Sequence, residues 1–377
     1  MVVPCEGQYI SKICLTPKPD GSQRLILNLK HFNQYVKTSH FKIEDHRTVV
    51  KLIRKDCFLA TLDLKDAYLL LPVNKQYRKY LRFVFEGTLY EYNAMPFGLN
   101  FAPLIFTKLM KPILCFLREK GYISVLYLDD FLLFGETYQK CLENCTITIK
   151  ILWSLGFVIN FSKSKLIPCQ QIQYLGFVYN SCSMSISIPT EKKVKILKLV
   201  KLFSSLKTCK IRNFARFIGN LISICPAIKY SYMYTKLFER TKCIALRNAR
   251  GQYNSKMKLP KNLKHDCDWW IEKIPKALNF IKIDNYTIEI FSDASLTGWG
   301  IHCNGTKTHG FWSEQEKKLH INHLELLAAL FGLKCFASNL FNCNVLCRID
   351  NTTAISYINR MGSIQHTGLN NIARAIW

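Results

Sequence analysis

Acidic residues are scarce in this sequence: Asp and Glu number 26 against 52 Lys and Arg in 377 residues, a formal net charge of +26 at pH 7. The excess runs along the whole length instead of sitting in one tail, which points to a polyanionic partner such as nucleic acid. Long apolar runs are also missing. None approaches the roughly 18 residues of a membrane span, so a soluble protein with no membrane partner is expected. The N-terminal MVVPCEGQYISK lacks a basic stretch followed by an apolar one, which argues against a secretory leader. The 16 cysteines lack metal-ligand clustering: the closest pairs, Cys141 with Cys145 and Cys343 with Cys347, have no second pair at a suitable distance. Reduced, mostly buried thiols in cytoplasm or nucleus are therefore expected. There is no internal repeat and no low-complexity segment. With 49% hydrophobic residues the chain can bury a sizeable core, which excludes a disordered or fibrous protein and suggests two or three domains.

From Tyr9 to about Phe134 short β-prone runs (Gln23 to Leu29, Phe58 to Leu62, Tyr80 to Phe85) alternate with turn signals such as PKPDGS and MPFGLN, and a helix is expected after Pro103. Between Glu191 and about Ile281 the texture turns helical and basic, as in EKKVKILKLVKLFSSLK. A new alternating run, TIEIFSD, then opens a second α/β unit: strands through Trp312, a helix over His320 to Phe336, a strand ending at Asp350 and a further helix. The expected boundary lies near residue 285.

Chemistry concentrates in ISVLYLDDFLLFG, where Asp129 and Asp130 sit between two apolar, β-prone runs expected to form a hairpin. An ionised carboxylate left desolvated and unpaired costs several kcal/mol, so such groups are paired, solvated at a turn or bound to a metal. An isolated DD more often marks an exposed acidic turn. The second carboxylate element, CFLATLDLKDAYLLLPV, ends a β-like run on Asp63, with Asp66 three residues on and Tyr68 beyond. Asp63 at a strand end can face Asp129 across a shared cleft. Nucleotidyl transfer needs this kind of site, in which carboxylates hold two cations about 3.5 to 4 Å apart that activate the attacking oxygen and stabilise the leaving one.

LDLKDAY, MPFGLNFAP, YLDD, SLGFVINFSKSK and QYLGF occur in the order and approximate spacing seen in reverse transcriptases, and over this stretch the chain resembles that family. The resemblance implies an α+β right-hand polymerase: fingers and palm over residues 1–190, a thumb-like or connection helical region over 191–285, then a partial RNase H-like α/β domain over 286–377. It implies that Asp63, Asp129 and Asp130 are metal carboxylates for Mg²⁺, with Mn²⁺ equally suited to oxygen ligands. Asp66 would lie beside the incoming dNTP triphosphate, and Tyr68 would exclude a ribose 2′-hydroxyl. Arg24 would grip the triphosphate with help from Lys18; a guanidinium suits forked phosphate contacts. Pro96, Phe97 and Gly98 match the element beneath the nascent base pair, with Phe97 where retroviral members carry glutamine. Lys163 occupies the place of a lysine able to protonate departing pyrophosphate, with Lys165 close by, and Leu175 and Gly176 resemble the primer grip.

In the second α/β unit FSDASLTGWG, HINHLELLAAL and RIDNTTAISYIN bring Asp293, Glu325 and Asp350 in the order of the first three carboxylates of RNase H, which implies a second two-cation centre acting on RNA/DNA hybrids. His320 and His323 are three apart without HExxH and are expected to cap or pack a helix. The family's fourth carboxylate and last strand would follow Asp350 by several tens of residues, so weak or absent RNase H activity is expected of these 377 residues. The wording of LILNLKHFN, PFGLNFAP, KSKLIP, SDASLTGWG and IDNTTA most resembles DIRS-type retrotransposons, which implies a longer polyprotein. Template, primer, dNTPs and RNA/DNA hybrid are the implied partners, held mainly through phosphates. A catalytically inactive retroelement remnant that still binds nucleic acid is the competing reading.

Overall fold

The computed structural model describes residues 9–17, 21, 23–281 and 285–377; the expected site residue Lys18 lies outside the described residues. The chain divides into two compact units, Met1–Leu175 with Tyr179–Met184, and Gly176–Val178 with Ser185–Trp377. Each mixes helices with sheets, as expected of an α+β polymerase fold.

The first unit is organised by a four-stranded antiparallel sheet. Its strands lie in the order Ser124–Tyr127, Asp130–Gly135, Phe58–Asp63 and Lys165–Cys169. The two inner strands carry continuous β-prone apolar runs, FLATLD and FLLFG, because they are covered on both sides. Helix Ala102–Glu119, with a proline in its first turn, presents Phe106, Met110 and Leu114, and helix Tyr138–Ser154 presents Cys141, Cys145 and Leu152. These pack with Ala60, Leu62, Phe131 and Leu133 into one buried cluster. Each fully buried large side chain contributes roughly 1.5–3 kcal/mol. Gly135 exists for this packing, since a Cβ there would meet the Cys141 backbone at 2.2 Å. A second cluster around Leu27, Leu29, Leu81, Met95 and Leu99 holds the hairpin of Ile13–Pro17 and Gln23–Leu27.

Two boundaries differ from the sequence reading. The Gln23 strand stops at Leu27, where Asn28 and Leu29 turn into the 3₁₀ segment Phe32–Gln34. Lys79–Leu81 forms a 3₁₀ turn, so the next strand begins at Arg82. Tyr80 stays in that 3₁₀ turn with its ring against Phe32 at 6.0 Å.

The second unit joins the helical region and the late α/β region. Helices Thr190–Ser205, Ile211–Ile222 and Lys236–Asn248 pack through Phe203, Phe214, Phe217 and Phe238, with Phe203 and Phe217 stacked at 4.4 Å. A mixed sheet follows, ordered Thr306–Phe311, Gly298–Cys303, Ile288–Ala294 and Val345–Arg348, the last pair parallel. Helix Ile321–Phe336 covers it. The terminal helix Thr367–Ile376 is tied back to helix Leu263–Lys273 by Arg374, which donates to buried Asp266 at 2.8 Å and lies over the Tyr234 ring. No helix among the described residues is long and apolar enough to cross a membrane, and all described cysteines are free thiols. His320 caps helix Ile321–Phe336, its ring nitrogen accepting from the Asn322 N–H.

Candidate active site

In the first unit, strand Phe58–Asp63 pairs antiparallel with Asp130–Gly135 in a register that sets Asp63 directly opposite Asp130. Tyr127 pairs with Asp130 across a two-residue turn of Leu128 and Asp129. That turn needs a left-handed residue, and Leu128 supplies it at φ 55°. A leucine held there costs of order 1 kcal/mol and persists only where its surroundings over-determine it. They do: the Leu64 N–H donates to the Asp129 carbonyl at 3.0 Å, and the buried Tyr174 hydroxyl donates to the Asp130 carbonyl at 2.9 Å. Asp63 is pinned on its other side, where its N–H donates to Ser164 Oγ and its carbonyl accepts from the Asn160 N–H.

Three carboxylates so gathered repel one another. Burial, with Asp129 and Asp63 alongside and a hydrogen bond to Asp63, pushes Asp130 up to about 7. Burial, with Asp63 adding to it, also raises Asp129, while Arg24 and Lys163 partly offset the rise. Burial and the Asp129 charge push the Tyr68 phenol up to about 12. Such a donor set is short of positive charge and fits divalent cations bound by oxygen ligands.

A cavity of about 470 Å³ opens against these groups, lined by Asp63, Asp66, Asp129, Arg24, Phe97 and Lys163 among others. The Arg24 guanidinium sits 4.7 Å over the Phe97 ring, and its Nε is buried with no hydrogen-bond partner among the described residues. Tyr68 is wedged edge-on between Phe97 and Phe106 at 5.5 and 5.4 Å. Lys163 is exposed at the cavity rim, whereas Lys165 lies on the strand paired with Thr61. Asp66 is exposed and left-handed at φ 48°. Gly98, at φ 115°, approaches the chain itself: a Cβ there would stand 2.4 Å from the Leu27 carbonyl oxygen. Pro96 precedes it in the same loop. Leu175 and Gly176, at φ 48° and 75°, form the turn between strands Gln171–Tyr174 and Phe177–Asn180.

In the second unit, Asp293 lies near the end of strand Ile288–Ala294, Glu325 on helix Ile321–Phe336 and Asp350 just after strand Val345–Arg348. One oxygen of each lies within 4.8 Å of the others. Glu325 is buried, its Oε2 without a partner among the described residues, and burial together with Asp350 and Asp293 pushes it up to about 7. An orphaned buried carboxylate oxygen facing two further carboxylates fits a divalent cation site.

The motifs did not disclose Glu44, Arg118 and Tyr174 as hairpin contacts, since each acts on backbone groups that only the tertiary fold brings within reach. Asn160 and Ser164 fall inside SLGFVINFSKSK, and their contacts with Asp63 follow from the turn after Ile159.

Residues 16–179 match the family described as "Reverse transcriptase (RNA-dependent DNA polymerase)". The putative enzymatic polyprotein of Cassava vein mosaic virus is 25% identical over 351 residues, 90% of this chain and 51% of that protein. The retrovirus-related Pol polyprotein from transposon opus of Drosophila melanogaster is 25% identical over 225 residues, 58% of this chain and 21% of that protein. The chain thus spans about half the length, or less, of these curated relatives. A solved foamy viral protease-reverse transcriptase in complex with double-stranded DNA shares the fold, with a TM-score of 0.62 at 17% identity over 97% of this chain and 63% of that one. Over residues 16–179 the chain is thus similar to the reverse transcriptase family, and its relatives include polyproteins of a plant virus and of a transposon.

Proposed function

We propose that the chain is an RNA-directed DNA polymerase that extends a primer with dNTPs, and that Asp63, Asp129 and Asp130 hold the two divalent cations of nucleotidyl transfer. The observation that carries this reading is the register of Asp63 opposite Asp130, with Asp129 on the intervening turn, beside a cavity bordered by Arg24 and Lys163. When bound, Mg²⁺ or Mn²⁺ would activate the attacking oxygen and neutralise the leaving one.

The chain's own groups do the rest. Arg24, whose buried Nε has no partner among the described residues, grips the triphosphate, and Lys18 assists it. Asp66 borders the triphosphate. Lys163 supplies a proton to the departing pyrophosphate. The Tyr68 ring, held by Phe97 and Phe106, cannot yield to a 2′-hydroxyl and so favours dNTPs. Phe97 and Gly98 form the floor under the new base pair, and Leu175 with Gly176 grips the primer.

Functionally the chain divides into fingers and palm over residues 1–190, a thumb-like connector over 191–285 and an RNase H-like region over 286–377. In that region Asp293, Glu325 and Asp350 form a second two-cation centre directed at the RNA strand of RNA/DNA hybrids. The lineage is a DIRS-type retrotransposon, working in the cytoplasm or nucleus within a longer polyprotein.

The test is extension of a DNA primer on an RNA template by the purified chain, with four dNTPs and Mg²⁺. Elongation to the template end is expected. A chain that retains primer-template yet adds no nucleotide would instead favour the inactive-remnant reading.

A further inference from the structure

We propose that Glu44 and Arg118 are positioning residues for the catalytic hairpin: their ion pair clamps the free edge of strand Ser124–Tyr127 and so fixes where Asp129 stands. The inference rests on the polymerase reading of Asp129. Strand Ser124–Tyr127 has only four residues and lies at the edge of its sheet, paired on one side alone with Asp130–Gly135. In an antiparallel pair, alternate residues turn their backbone groups away from the partner strand. The Phe134 N–H donates to the Ile123 carbonyl, so 123, 125 and 127 face inward and 124 and 126 face out. An edge of this kind leaves its outward N–H and C=O groups unpaired unless something covers them.

Glu44 and Arg118 cover these two groups. The Leu126 N–H donates to Glu44 Oε2 at 3.0 Å, and Arg118 Nη2 donates to the Ser124 carbonyl at 2.6 Å. The same Arg118 nitrogen donates to both Glu44 oxygens at 2.7 and 2.8 Å, closing the pair into a ring with the strand edge. Both side chains are about two-thirds or more withdrawn from solvent. Arg118 lies in the last turn of helix Ala102–Glu119, and Glu44 directly precedes Asp45, the cap of helix His46–Leu52. The clamp is therefore anchored at two helix ends and grips the strand two residues before Leu128. A small cavity of about 240 Å³ beside the pair also touches Leu126 and Leu128. From strand Gln171–Tyr174, outside this sheet, the Tyr174 hydroxyl donates to the Asp130 carbonyl. A strained two-residue turn flanked by such contacts holds one geometry. With the outer contact removed, Asp129 is free to move by the fraction of an ångström that nucleotidyl transfer does not tolerate.

The experiment compares the parent with Glu44→Ala, Arg118→Ala, the double variant and Glu44→Gln. It reads single-nucleotide incorporation per active site from burst amplitude, the dNTP KM, and amide hydrogen exchange over residues 122–135. A misplacement near 1 Å costs about 10²-fold, so each alanine variant should lose about 10- to 100-fold in per-site rate. The dNTP KM should stay within about threefold of the parent's, because binding is not what the clamp serves. The double variant should be no slower than the slower single one, since the pair acts as a unit. Glu44→Gln should recover most of the loss, because a carbonyl oxygen still accepts from the Leu126 N–H. Exchange at Leu126 should quicken at least about tenfold in both alanine variants. Unchanged Leu126 exchange, or a lower burst amplitude with an unchanged per-site rate, would overturn the proposal. A parent that adds no nucleotide counts against the polymerase reading, and the exchange measurement still decides the clamp.

Discussion

Asp129→Asn should lower the per-site rate of dNTP incorporation about 10³-fold, equivalent to about 4 kcal/mol of lost transition-state stabilisation. Asn has nearly the shape of Asp and can keep the turn, but it brings no negative charge to a centre whose cations must be held close together. The same substitution removes one of three mutually repelling carboxylates. Burial and Asp63 raise Asp129, and Asp129 helps push Asp130 up to about 7. A carboxyl whose folded value is raised contributes stability at pH below its ordinary value, and that contribution is lost as pH rises through the folded value. Near neutral pH these carboxylates therefore weaken the metal-free fold, and neutralising Asp129 should leave the melting temperature unchanged or higher. Loss of activity together with a retained or firmer fold, and undiminished primer-template binding, is the expected combination. A melting temperature that falls along with activity would make Asp129 a structural residue.

Gly98→Ala should destabilise the first unit by about 3 kcal/mol, the sum of two penalties of roughly 1–3 kcal/mol each. One penalty is the φ of 115°, which side chains with a Cβ rarely adopt; the other is the 2.4 Å contact between the new Cβ and the Leu27 carbonyl oxygen. Neither neighbour can yield cheaply. Leu27 is buried in the cluster with Leu81 and Met95, and the Gly98 carbonyl accepts from Asn33 at 2.9 Å. Relief therefore requires moving the strand that carries Arg24. Gly121→Ala is the internal control, since Gly121 also has a positive φ, 85°, but none of the described residues lies within 4 Å of a Cβ there. It should cost only about 1 kcal/mol. Equal urea midpoints for the two variants would contradict this account of Gly98.

The aspartates were legible because their chemistry is written into local pattern. Asp63 ends an apolar β-run, Asp129 and Asp130 interrupt another, and strand pairing brings such ends together. The same holds for Glu325, an acid on an otherwise apolar helix face. Gly98 was expected as part of the element beneath the nascent base pair; that it approaches Leu27, 71 positions earlier, required the fold. Glu44 and Arg118 carry no motif, since 74 residues separate them and their partners are peptide groups any sequence would offer. The continuity of the second unit was hidden in the same way: Arg374 and Asp266 are 108 residues apart, on either side of a boundary that the change of texture near residue 285 suggested. Side-chain contacts to backbone leave no composition signal, whereas clustered carboxylates do.

Single-turnover incorporation of one dNTP, followed as Mg²⁺ is titrated upward from a chelated start, tests most directly whether the Asp63, Asp129 and Asp130 cluster is a two-cation nucleotidyl-transfer centre. The account predicts no incorporation in chelator and a rate that climbs more steeply than the first power of Mg²⁺ at low concentration. A rate indifferent to chelation, or a first-power dependence that persists unchanged in Asp129→Asn, would contradict it.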